Sequence, residues 1–157
     1  MFYERTGVIY ELSPKQNTCR QGCNTGNDVK INAPQHLQSS VDRLFMIYKI
    51  CTQNEWRHFS AAGKFAGSPD DLRDGFIHLS GPDQVARTAA KFFTGRTDLV
   101  LLAVDPGRLG DGLCWEASAG GILYPHYYGP LPMAAVISST PLTVGPDGRH
   151  ILPPEFG

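Results

Sequence analysis

The stretch DLVLLAVD, Asp98 to Asp105, is apolar at every position between its two aspartates. A strand apolar on both faces belongs in the middle of a sheet, covered on either side. Asp105-Pro106-Gly107 supplies the turn chemistry that ends it. Immediately before it, Val85, Ala89, Phe92 and Phe93 recur at i, i+4, i+7 and i+8, the apolar stripe of a helix entered from Ser80-Gly81-Pro82 and closed by Gly95. Further upstream, GFIHLS (Gly75 to Ser80) reads as a buried strand with one imidazole, His78, among apolar neighbours.

The domain begins at MIYKI, where Met46, Tyr48 and Ile50 alternate against Ile47 and Lys49 as a first strand. Thr52-x-x-Glu55 is a capping box that opens a helix. Trp56 and Phe59 share one face of that helix, and Gly63 ends it. Ser68-Pro69 opens a shorter turn with Asp70 and Asp71 near its start, and Asp74-Gly75 returns the chain to GFIHLS. After the central strand come four extended pieces, around Leu113 to Ala117, Ile122 to Tyr128 and Ala134 to Pro141, then a last hairpin turning at Gly145 to Gly148. Helices early and strands late predict an α+β fold, a compact twisted mixed or split β-sheet with two main helices.

Residues 1 to 45 differ in kind. TCRQGCNTGNDVKINAPQHLQSS is polar and lacks either periodicity, so the expectation is a disordered or spurious N-terminal extension, with 46–157 as a single domain. Fourteen basic against fifteen acidic residues leave no field to draw in nucleic acid or an acidic membrane surface. No apolar run is long enough to span a bilayer, and no secretory signal opens the chain. Four cysteines without a framework spacing are expected as free thiols in the cytoplasm. The expected partner is a small-molecule or nucleotide ligand.

Four residues stand out for chemistry. His78 is a titratable group on a strand. Trp115-Glu116 places a carboxylate inside an apolar run. PHYYGPL (Pro125 to Leu131) holds His126 and Tyr128 before a rigid Gly129-Pro130 corner, and rigid aromatics are stacking surfaces for a heterocycle. His78, His126, Glu116 and Cys114 are metal-ligand types, yet no pair has the spacing that makes a zinc motif. Ser80 lacks the Gly-x-Ser-x-Gly elbow of a serine nucleophile.

The succession IYKI, a tryptophan on a capped helix, DGFIHLS, VARTAAKFF, LVLLAVD, WE and YPHYYGPLPMAAV resembles a bacterial domain-of-unknown-function family, the one numbered 952. The resemblance covers nearly all of residues 46 to 152. That family is distantly similar to ADP-ribosyltransferase folds, which bind NAD in a cleft between two small sheets. The resemblance therefore implies NAD as a substrate and ADP-ribosyl or related glycosyl transfer. By order along the chain it sets Lys49, His78, Ser80 and Tyr128 against the nucleotide, and Glu116 or His126 where positive charge develops on the ribose. The alternative is a non-enzymatic nucleotide or small-molecule binding module, for which Glu116 would point to solvent.

Overall fold

The computed structural model describes residues 46–156. In chain order the elements are β1 (Ile47–Thr52), α1 (Gln53–Ala62), β2 (Lys64–Phe65), α2 (Pro69–Asp74), β3 (Ile77–His78), α3 (Val85–Phe92), β4 (Leu99–Val104), β5 (Leu113–Ala117), β6 (Leu123–Tyr127), β7 (Leu131–Pro132), β8 (Val136–Val144) and β9 (His150–Ile151). The expectation for residues 1 to 45 lies outside the described residues.

β4 is the central strand that its two-sided apolar pattern demands, between β1 and β8 in a four-stranded sheet of order β1-β4-β8-β9. Its alternate residues feed two cores. On one face Val100, Leu102 and Val104 join Ile47 and Cys51 of β1, and Phe59 of α1, Phe65 and Ile77 cover them. On the other, Leu99 and Leu101 join Tyr48 and Ile50, covered by Val85 and Ala89 of α3.

The rest of the structure splits into a β2-β7 pair and a three-stranded sheet of order β3-β6-β5. Among the described residues every strand pairing is antiparallel, which corrects the mixed alternative and retains the split one. The small sheet is tied to the large one through Ser80, whose N–H and C=O exchange hydrogen bonds of 2.9 and 2.8 Å with Tyr48. GFIHLS is thus ladder-paired only at Ile77–His78, with one further bridge at Ser80.

Among the described residues there are three α-helices where two main ones were expected. α1 starts in the predicted capping box, with Thr52 Oγ1 accepting from Glu55 N–H and Glu55 Oε2 accepting from Thr52 N–H, and it stops at Gly63 with φ 73°. The Ser68-Pro69 turn is itself a one-and-a-half-turn helix, α2, with its own capping box between Ser68 and Asp71 and Gly75 as a left-handed cap. No helix among the described residues is long and apolar enough to cross a membrane. Cys51 is a free buried thiol, pushed up to about 12 chiefly by burial, so it is unreactive at neutral pH.

Leu102 is fully buried on the central strand, whereas Ile137 of β8 is half exposed. Leu102→Ala should lower unfolding free energy by about 2–5 kcal/mol and Ile137→Ala by less than about 1 kcal/mol, as read by urea titration.

Candidate functional site

β1 sets Lys49 between Ile47 and Cys51, so its side chain enters the core face that α1 covers. An ammonium placed there needs a counter-ion. Asp71 of α2 provides it, with Lys49 Nζ 2.7 Å from Asp71 Oδ2 and the two side chains 6% and 2% exposed. The Lys49 ammonium also lies 5.7 Å from the Phe65 ring centroid.

Asp71 meets four polar groups with two oxygens. Oδ2 accepts from Lys49 Nζ and, at 2.8 Å, from Ser68 N–H; Oδ1 accepts from His78 N–H at 3.0 Å and meets His78 Nδ1 at 2.8 Å. Burial alone would push the Asp71 carboxyl up, but the His78 hydrogen bonds and the Lys49 charge outweigh it and hold the group well below the usual carboxylate range. The chain approaches this carboxylate so closely that a Cβ at Gly67, where φ is 121°, would stand 2.8 Å from Asp71 Cβ.

The capped end of α2 delivers the chain into β3, and β3 pairs with β6 so that His78 lies opposite His126. Their ring centroids are 5.5 Å apart. Phe76 packs against both, stacked on His126 at 4.1 Å and tilted on His78 at 4.7 Å. β5 pairs with β6 next door and brings Glu116 to the same face: its Oε2 lies 2.8 Å from His126 Nδ1 and accepts from the Tyr128 hydroxyl at 2.8 Å. Trp115, on the alternate face of β5, is half exposed. The turn into β5 runs tight under this corner, since a Cβ at Gly112 would come within 2.8 Å of the Tyr127 ring.

Two imidazoles therefore stand side by side, each bonded through Nδ1 to a carboxylate. His78 is 41% exposed and Asp71 is 2% exposed. His126 is 15% and Glu116 38% exposed. A second carboxylate, Asp74, lies 3.4 Å from His78 Nε2 and is itself lowered by its hydrogen bond with Arg73. An open concavity adjoins the cluster, lined by Asp71, Leu72, Gly75, Phe76 and Gly129 among others. Among the described residues no group of three or more His, Cys, Asp or Glu is arranged to hold a metal ion.

The structure brings His78, Glu116, His126 and Tyr128 together, as their strand assignments anticipate. It places the other two elsewhere. The Lys49 ammonium is turned into the core onto Asp71 rather than toward an open cleft. Ser80 is buried and its hydroxyl lies 3.1 Å from Thr88 Oγ1 of α3. Asp71 and Phe76 are the residues that sequence reasoning left out of the site. The sequence set Asp71 only near the start of the Ser68-Pro69 turn, and read Lys49 as facing the nucleotide, so nothing in it pointed to the pair.

The model of the family described as "Protein of unknown function (DUF952)" matches residues 50–139. The X-ray structure of protein CC0527 from Caulobacter crescentus is 48% identical, with a TM-score of 0.65, covering 68% of this chain and 93% of that one. The solution NMR structure of CC0527 is likewise 48% identical, at a TM-score of 0.62, covering 67% of this chain and 90% of that one. No curated protein matches the chain.

Because the folded-state carboxyl of Asp71 is depressed, its contribution to stability is complete above the ordinary carboxylate range and is lost as pH falls below it. Asp71→Asn should remove that part of the acid dependence and leave Lys49 buried without its partner. Urea titration across pH should show a flatter acid limb and, at neutral pH, a loss of about 3–5 kcal/mol.

Proposed function

The chain belongs to the DUF952 family, and from that premise we propose that the face formed by His78, Phe76, Glu116, His126 and Tyr128 binds a nucleotide-like substrate, NAD first among candidates, and catalyses ADP-ribosyl or related glycosyl transfer. One observation carries the reading. Glu116 is turned into the cluster, held by the Tyr128 hydroxyl and His126 Nδ1, instead of pointing away to water. A module that only bound an aromatic ligand would not need the charge of this carboxylate beyond orienting His126 and Tyr128. A reaction passing through an oxocarbenium-like state would, since a nearby negative charge favours that state far more than the ground state.

The remaining groups have matching tasks. Tyr128 is nearly half exposed and presents its ring beside His126 and Phe76, a surface on which a nicotinamide or adenine ring stacks. His78, with its ring reachable from solvent, bonds a ribose hydroxyl. Lys49, consumed by Asp71, takes no part in holding phosphate.

Calorimetry with NAD together with an assay of nicotinamide release tests the reading. Glu116→Gln keeps the shape of the group and removes its charge, so affinity should hold while turnover falls about 10²–10³-fold. His78→Ala should weaken binding about fivefold, the equivalent of about 1 kcal/mol for one lost hydrogen bond. Binding with no nicotinamide release from any hydroxyl, amine or water acceptor would turn the proposal into that of a binding module. No NAD binding at all would overturn it.

A further inference from the structure

We propose that Asp71 is a positioning residue for His78, confining proton exchange at that imidazole to Nε2, with the buried Lys49 ammonium as its fixed counter-ion. This deepens the reading above by saying which atom of His78 faces the substrate, and it rests on His78 acting at that site.

The argument starts from donors and acceptors. A carboxylate has no proton to give, and Asp71 Oδ1 already receives the His78 backbone N–H at 3.0 Å. The atom 2.8 Å away on the other side, His78 Nδ1, must therefore be a donor in this arrangement. Asp71 cannot turn away from that duty, because Oδ2 is claimed by Lys49 Nζ at 2.7 Å and Ser68 N–H at 2.8 Å, inside a helix cap in which Asp71 itself is buried. When His78 gives up a proton it gives up the one on Nε2, the nitrogen on the outer side of the ring. The groups facing that ring are Asp71 and Asp74 from α2, with Asp74 Oδ2 3.4 Å from Nε2, and His126 from β6, whose own Nδ1 is engaged by Glu116. Asp74 favours a proton on Nε2 while His78 is charged. In the neutral ring it pulls toward the opposite tautomer, but at 3.4 Å and about a third exposed it is the weaker partner beside the buried Asp71 contact at 2.8 Å.

The geometry resembles in kind the buried aspartate that orients a catalytic histidine in a serine protease, where the carboxylate selects the tautomer and stays ionised throughout. Here the carboxylate has one further tie, a buried ammonium on the first strand. A substrate hydroxyl on the open side of His78 thus meets a nitrogen that accepts its proton without any rotation of the ring.

Nitrogen-15 spectra of the imidazoles, assigned to His78 and recorded on the wild-type protein at a pH where the ring is neutral, decide the matter without any variant. The expected result is a protonated-type shift at Nδ1 and an unprotonated-type shift at Nε2. The reverse pattern, or equal populations of both tautomers, overturns the proposal. In Asp71→Asn, where the amide offers either an oxygen or an NH₂ to the ring, the preference should be lost or inverted. A variant that is folded by its amide spectrum yet keeps Nδ1 fully protonated also overturns it; a variant that does not fold leaves the wild-type measurement to decide. A protein that ignores NAD would dispose of the ligand reading while leaving the tautomer result intact, so the two failures are distinguishable.

Discussion

A lysine on the inward face of the first strand is the constraint that organises the candidate site. Its ammonium sits where Ile47 and Cys51 are core residues, and desolvating it without a partner would cost several kcal/mol. The fold answers with Asp71, and reaching Lys49 fixes where α2 lies. That in turn requires the glycine at position 67, pressed against the Asp71 side chain, and the left-handed glycine at position 75 that turns the chain back into β3. From β3 the consequences run sideways through the small sheet. His78 is set opposite His126 by strand pairing, and Glu116 arrives one strand further on. A single buried charge on β1 is thus linked by backbone geometry to two imidazoles.

Much of the architecture is written locally. DLVLLAVD identifies its own place in the sheet because only a strand covered on both sides can be apolar on both. The Thr52 capping box and Gly63 mark both ends of α1 for the same kind of local reason, unsatisfied main-chain groups at each end of a helix. The strand character of both histidine segments is legible too, but that they pair, setting His78 opposite His126, is given by the sheet order. By contrast β2 and β7 are two residues each and carry no periodicity; they exist because Leu131 and Phe65 are pulled into one core, which no local pattern encodes. MIYKI alternates, but β1 is buried on both faces, so the alternation separates two cores instead of core from water. That is why Lys49 reads as an outward, phosphate-facing group in the sequence and as an inward one in the fold. Ser80 misleads for a similar reason, since its neighbour Thr88 lies on α3, beyond the reach of any strand pattern.

The two histidines are supported in opposite ways, and this bears on how their roles can be separated. Asp71 is buried, bonded to Lys49, Ser68 and His78, and indispensable to the packing around Lys49; perturbing it disturbs the fold and the imidazole together. Glu116 is more than a third exposed, on a strand of the outer sheet, and its bonds to His126 and Tyr128 link groups of the same sheet and its adjoining corner. A carboxylate committed to the core is a poor choice for meeting charge that appears on a substrate, because its lone pairs are already used. A carboxylate at the rim, oriented by a tyrosine and a histidine, stands more than a third exposed to solvent. Burial separates the two carboxylates: Asp71 is tied into the packing around Lys49 and to His78, while under the proposed function Glu116, at the rim, is the one that would meet a ligand.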